Sequence, residues 1–323
     1  MTTYRHPGIL AAALVCLGAC AGATGQTQYD GETGGYGVNV AEAVLPVAAQ
    51  DKDLFVRVRY PDGDAAFPLV VFSHGAMCDK AMYAPVVENW VSHGYVVIEP
   101  VHRDSRVFGQ VNFSLMNEIA DSRIADMSEI LDQLDAIESQ VPGLAGRIDR
   151  DRVAAAGHSM GGATAMIASG FVARNAQGEI AHTGDQRYDA ALLLSGPGPM
   201  PTTPDESWGE YTTPTLMTTG TKDITMTNKN KPEGWKWRLG SYELTPAGDK
   251  YALIIEDMDH FLGGAICGTN IEDKQPDTEA LKLVNASAVA FLDAYLKNED
   301  TARSTLVNGE IETLSARAEF RAK

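Results

Sequence analysis

The stretch Val153-Ala-Ala-Ala-Gly-His-Ser-Met-Gly-Gly162 decides how the rest of the chain is read. A short apolar run, Val153 to Ala156, leads directly into Gly157-His158-Ser159-Met160-Gly161, and helix-forming residues from Ala163 to Ala168 follow. Strand, tight turn and helix form the context that a G-x-S-x-G nucleophile elbow requires. Ser159 would sit in a strained turn with its hydroxyl clear of both flanking elements. Gly157, Gly161 and Gly162 would let the helix close against the strand, because none carries a Cβ. The helix would also aim its unpaired N–H groups and the positive end of its dipole at the Ser159 oxygen. A glycine-rich chain can contain such a pentapeptide by chance, in an ordinary βα turn; the elements on either side favour the elbow. Ser159 is the expected nucleophile.

Moving outward, apolar runs alternate with helical patterns. Leu54 to Tyr60 alternates apolar and polar, as a half-exposed strand does. Pro68 to Ser73 and Tyr95 to Pro100 are continuous apolar runs, as expected for strands buried on both faces. A loop from Arg103 to Met116 leads to a helix expected over 118–140, with Ile124, Met127, Ile130, Leu131 and Leu134 on one face. After the elbow come strands at 189–195, 214–219 and 251–255, the last of the series, and a final helix over 278–297. Strands alternating with helices predict an α/β fold with one mostly parallel sheet, helices on both faces and no large lid domain. Residues 25–50, with Gly31, Gly34, Gly35 and Gly37, read as a linker and N-terminal segment. Residues 51–300 read as the catalytic domain and 301–323 as a C-terminal tail.

The chain of 323 residues carries a net charge of −17, which argues against nucleic acid and against docking on anionic lipid through a basic patch. Residues 1–24 read as a targeting segment. Arg5 and His6 precede an apolar run from Ile9 to Leu17 that is too short to span a bilayer, followed by small residues. Leu17-Gly18-Ala19-Cys20 is similar to a bacterial lipobox, which implies lipidation of Cys20. The expectation is an exported protein, periplasmic or anchored to the outer membrane through Cys20, with plain secretion and cleavage after Ala21 or Ala23 as the alternative. Cys78 and Cys267 remain in the body of the chain. They lie beside two loops expected at the same sheet edge, so a disulfide between them is sterically feasible in an oxidising compartment; two separate thiols are the other reading.

A serine hydroxyl needs a base, and the base needs an orienting acid. Two histidines follow Ser159. His182 sits in a polar loop. His260 comes directly after the 251–255 strand, on a loop able to reach over the elbow, and is the expected base. In chain order the acid lies between them. Asp223, in Thr219-Gly-Thr-Lys-Asp223, follows a buried strand, whereas Ser195-Gly-Pro-Gly-Pro-Met200 contains no carboxylate. Asp257 and Asp259 are too near His260 in sequence to orient it easily. The oxyanion of the tetrahedral intermediate needs preorganised N–H donors, expected from Met160 and Ala76. His74 and His158 read as buried structural residues, Arg103 and Asp104 as a pair bracing their loop. Loop residues Met77, Phe113, Leu115, Met116, Trp235 and Trp237 are candidates for the substrate pocket. No histidine spacing suits zinc, and no metal or cofactor is expected.

Val71-Phe-Ser-His-Gly-Ala76, His93-Gly-Tyr-Val-Val97, His102-Arg-Asp-Ser105 and Gly157-His-Ser-Met-Gly-Gly162 together resemble the α/β-hydrolases related to platelet-activating-factor acetylhydrolase and the dienelactone-hydrolase group. The likeness covers about residues 50 to 300. It implies an α/β-hydrolase fold and metal-free hydrolysis of short or modified acyl esters, on small-molecule or lipid-like substrates. Ser159, His260 and the Ala76–Met160 oxyanion pair carry over. The acid does not: those acetylhydrolases take it from the loop after the strand that follows the elbow, where this chain has Gly196-Pro-Gly. Asp223 lies one strand later, as in most α/β-hydrolases and in bacterial cutinases, and the elbow also resembles that of cutinase-like polyester hydrolases. Ser159 argues against dienelactone hydrolysis proper, which uses a cysteine. A peptidase and a non-catalytic envelope lipoprotein are the remaining alternatives, and oligomeric state is left open.

Overall fold

The computed structural model describes Met1 and residues 29–109, 111–175, 177–200, 203–268 and 275–323. The expected targeting segment, with Cys20, lies outside the described residues from position 2 onward. In chain order the elements are β1 (Val38–Val47), β2 (Lys52–Pro61), β3 (Phe67–Ser73), α1 (Ala84–Ser92), β4 (Val96–Pro100), α2 (Met116–Asp132), α3 (Leu134–Gln140) and β5 (Ile148–His158). They continue with α4 (Met160–Ala168), β6 (Ala173–Arg174), β7 (Ile180–His182), β8 (Ala190–Leu194), α5 (Asp205–Glu210), β9 (Thr215–Lys222) and α6 (Gly240–Glu243). The series closes with β10 (Lys250–Asp259), α7 (Thr278–Leu296), α8 (Asp300–Val307) and β11 (Ala318–Ala322).

Among the described residues, nine strands form one sheet in the order β1-β2-β4-β3-β5-β8-β9-β10-β11. From β4 to β10 neighbours run parallel, while β1, β2 and β11 join antiparallel at the edges. Every residue of β3 is buried because helices cover both of its faces. Its side chains divide with the two-residue period of a strand: Val70 and Phe72 pack with α1 and α7, Leu69 and Val71 with α2 and α4. The expected α/β architecture is present, with the parallel strands delivering their carboxyl ends to a single edge.

Three boundaries differ from the sequence reading. Residues 38–47, read as part of a linker, form β1, which pairs along its whole length with β2. Ala43, Leu45 and Val47 face the core while the residues between them face out, an alternation masked in sequence by the glycines just before it. Residues 301–323, read as a tail, supply most of α8 and the edge strand β11, whose Phe320 packs on the core beside Tyr251; the 251–255 strand is therefore not the last. The helix expected over 118–140 is broken at Gln133. There Gln133 Nε2 donates to Pro46 O at 3.0 Å, and Gln140 exchanges hydrogen bonds with the Val44 backbone, turning α3 along β1. The apolar face of α2 is buried as expected at Ile124, Met127, Ile130 and Leu131.

Candidate active site

Ser159 joins β5 to α4 with φ +55° and ψ −116°, a conformation that residues with side chains rarely adopt. The glycines around it have a steric reason. A Cβ on Gly157 would lie 2.2 Å from Gly161 O, and one on Gly161 would lie 1.9 Å from Ser73 O. Strand, elbow and helix can close on one another only without those atoms. Ser159 N–H donates to Leu194 O at 2.9 Å, fixing the turn to β8.

His260 follows the last residue of β10, and its Nε2 lies 2.9 Å from Ser159 Oγ. Its Nδ1 lies 2.7 Å from Asp223 Oδ1, just beyond the end of β9. A carboxylate can only accept, so Nδ1 carries the hydrogen and Nε2 is free to accept from the Ser159 hydroxyl. Thr219 Oγ1 donates to the other carboxylate oxygen at 3.1 Å, and Asn228 Nδ2 holds the Asp223 carbonyl at 2.9 Å. Burial pushes the His260 pKa below its ordinary 6.5, although the Asp223 carboxylate pulls the other way. Burial alone would raise the Asp223 pKa, but His260 and Arg238 beside it bring it down to about 2.

The loop after β3 brings Ala76 to the same cavity as Ser159 and Met160. This loop is held from behind by a buried ion pair. Arg123, on α2, donates to Asp104 through Nε and Nη2, both at 2.8 Å, and to His74 O through Nη1 at 2.7 Å. Met77 N–H donates to Asp104 Oδ2 at 3.1 Å. Burial would raise the Asp104 pKa, but the Arg123 guanidinium lowers it to about 2. Asp104 is thus braced by Arg123, not by its sequence neighbour Arg103 as expected.

His158 and Tyr83 make a second strut. Gly75 N–H donates to Tyr83 Oη at 2.9 Å, and His158 Nδ1 lies 2.9 Å from the same oxygen. His158 Nε2 lies 2.9 Å from the His260 carbonyl, which can only accept, so Nε2 is protonated and Nδ1 takes the Tyr83 hydrogen. The chain of bonds joins the Gly75 loop, the elbow and the His260 loop. Burial holds His158 well below 6.5, hence neutral and suited to this one-way chain. His74 is equally buried, with Nδ1 2.8 Å from Gly75 O, and His182 lies 2.8 Å from Asp121 away from the site.

A cavity of about 370 Å³ opens beside Ser159, walled by Met116, Ala120 and Ile124 of α2, by Ala163 and Ile167 of α4, and by Trp237. Of the expected pocket residues, Trp237 and Met116 line it. Trp235 does not; it packs against the core layer that holds α2 and α4. Met77 is largely exposed and is not among the cavity's lining side chains. Phe113 begins the short 3-10 turn Phe113–Leu115, and its side chain lies outside the described ones. Cys78 and Cys267 form a disulfide that ties the loop after β3 to the loop carrying His260. Tyr83, Arg123 and Arg238 were not expected at the site from sequence. The two arginines have as sequence signals only their places, one beside a predicted core stripe and the other in the tryptophan segment, and Tyr83 has none.

Parallel strands with an elbow after β5 and polar residues gathered at their carboxyl ends are the α/β-hydrolase fold. Residues 31–177, a little under half of the chain, match the family described as Chlorophyllase. Over 138 residues, 31% of this chain and 31% of the relative, the sequence is 28% identical to a platelet-activating factor acetylhydrolase from Bos taurus. Over 140 residues, 32% of each chain, it is 27% identical to one from Canis lupus familiaris. The chain spans about a third of the length of these curated relatives. The resemblance to acetylhydrolase-like α/β-hydrolases is borne out by these likenesses.

Proposed function

We propose that this protein is an exported serine hydrolase of carboxylic esters with short or modified acyl groups, working through an acyl-enzyme. The observation that carries the proposal is the unbroken line of contacts from Ser159 Oγ, which faces an apolar cavity, through the His260 ring to the buried Asp223. Ser159 attacks the ester carbonyl carbon while His260 Nε2 takes its proton, and Asp223 stabilises the resulting imidazolium. The N–H groups of Ala76 and Met160 receive the negative charge on the former carbonyl oxygen. His260 then gives the proton to the leaving alcohol. Water, deprotonated by the same nitrogen, releases the acid and restores Ser159. The apolar walls on α2 and α4 suit an acyl chain rather than a charged group.

The location of Asp223 after β9 favours, as a second reading, the cutinase-like polyester hydrolases that the elbow resembles. Export is supported by the signal-like segment and by the disulfide, which persists in oxidising compartments; Cys20 is the proposed lipidation site. A panel of p-nitrophenyl esters of rising chain length, run beside a phospholipid and a polyester film, tests the reading. Hydrolysis of short esters with Ser159 labelled by a fluorophosphonate is the expected result. A folded protein that neither turns over esters nor labels would defeat it.

A further inference from the structure

Arg238 lies in the 3-10 segment Gly234–Leu239 that follows the loop after β9, and its side chain is only 3% exposed. Its Nε lies 2.6 Å from Asp223 Oδ1, the same oxygen that accepts from His260 Nδ1. The rest of the guanidinium is clamped. Nη1 donates to Ser195 O at 2.8 Å and Gly196 O at 3.3 Å, and Nη2 to Thr225 Oγ1 at 3.0 Å. The cation therefore bridges the carboxylate-free loop after β8 to the loop carrying Asp223. It also reaches the cavity beside Ser159.

We propose that Arg238 is a positioning residue: it fixes the Asp223 carboxylate against His260 and opposes protonation of the imidazole. This rests on the reading of Asp223 and His260 as acid and base. A guanidinium used only to satisfy the Ser195 and Gly196 carbonyls could do so without its Nε meeting the carboxylate. Placed here, it offsets the charge of a buried aspartate that would otherwise act on the imidazolium alone. Among the described residues, the other groups around His260 do not supply a competing cation. The His158 ring, tilted 41° to that of His260 with centroids 4.6 Å apart, is neutral, and Asp259 is the preceding residue, its Oδ1 accepting from Phe261 N and Gly263 N. Asp257, on the surface, is paired with Lys222 at 3.0 Å. Burial and Arg238 lower the His260 pKa, while Asp223 and Asp259 raise it.

The test compares Arg238→Gln with Arg238→Lys on a p-nitrophenyl ester across pH. Arg238→Gln is expected to lower kcat about tenfold at pH ~8.5 with KM within about threefold, and to move the acid limb of kcat/KM up by about one pH unit. Arg238→Lys keeps the charge but not the fork, so kcat falls several-fold while the limb stays in place. A folded Arg238→Gln with wild-type kcat and limb would overturn the proposal. Should that variant not fold, wild-type kcat in Arg238→Lys would overturn it equally. An NMR titration of the His260 imidazole in Ser159→Ala, with and without Arg238→Gln, needs no turnover. An upward shift there supports Arg238 even if no ester is cleaved, in which case the hydrolase reading alone fails; coincident titrations overturn Arg238's role.

Discussion

The Ser73–His102–Asp126 cluster and the Ser159–His260–Asp223 cluster share almost the same internal distances but differ in what surrounds the hydroxyl. In the first, Ser73 Oγ lies 2.9 Å from His102 Nε2, and His102 Nδ1 lies 2.9 Å from Asp126 Oδ2. In the second the corresponding distances are 2.9 Å and 2.7 Å. Yet Ser73, His102 and Asp126 are fully buried, Arg123 Nη1 donates to Ser73 Oγ at 3.2 Å, and Lys52 Nζ donates to Asp126 at 2.6 Å. Both ends of that relay are capped by cations, and no substrate carbonyl can approach. Ser73 also sits at the end of a regular strand, whereas Ser159 occupies a left-handed elbow at the start of a helix. Three side chains at hydrogen-bonding distance do not make a reactive site. Access to a cavity and a strained turn distinguish the two.

Matched substitutions should separate them. Ser159→Ala is expected to lower kcat by on the order of 10⁴-fold or more with an unchanged melting temperature. Ser73→Ala should leave fluorophosphonate labelling of Ser159 intact and instead cost about 1–3 kcal/mol of stability, since it strips a partner from His102 and Arg123. Equal losses of activity in both variants, measured on folded protein, would erase the distinction. Asp223→Asn should reduce kcat by about 10³–10⁴-fold by removing the acceptor that sets the imidazole tautomer. Asp126→Asn should act on stability, by about 3–5 kcal/mol in chemical denaturation, because Lys52 loses its buried counter-charge.

Further effects come from the disulfide and from pH. Replacing Cys78 and Cys267 together by serine is expected to cost about 2–4 kcal/mol in denaturant titrations, while Ser159 still labels. His74, His102, His158 and His260 all sit below the ordinary 6.5 because burial disfavours their charged forms. The unfolded chain binds those protons more readily. Their stabilising contribution is therefore complete above about pH 6.5 and shrinks as the pH falls through that value. Asp104 and Asp223, held at about 2 against an ordinary 3.8, contribute above 3.8 and lose that contribution as the pH drops toward 2. Melting temperature followed from pH 8 downward should thus decline in two stages. For activity, the acid limb of kcat/KM should lie below 6.5, since His260 stays neutral there; a limb above 6.5 would contradict its buried setting.

The elbow was legible because its demands are local: a Cβ at Gly157 or Gly161 would strike backbone within the same few residues or on the adjoining strand. His260 and Asp223 could be picked out by chain order, since parallel strands deliver successive loops to one edge. The struts could not. Arg123 and Arg238 act through backbone carbonyls on distant loops, and nothing in a sequence records which carbonyl an arginine will meet. Trp235 and Trp237 looked equivalent, yet one faces the core and the other the cavity, because the segment winds as a tight 3-10 turn. The edge strand β1 was obscured by the glycines just before it, and β11 by its length of 5 residues, where a few alternating positions carry the whole signal.

The Cys78–Cys267 bond has a bearing on the order in which this molecule is completed. Its partners are 189 residues apart, so β4 through β10 must all have been made before the sulfurs can meet. A chain emerging stepwise into an oxidising space would carry a free thiol at Cys78 for nearly its entire passage. Oxidation of that pair would then mark arrival of the His260 loop, and maleimide capture during synthesis would time it.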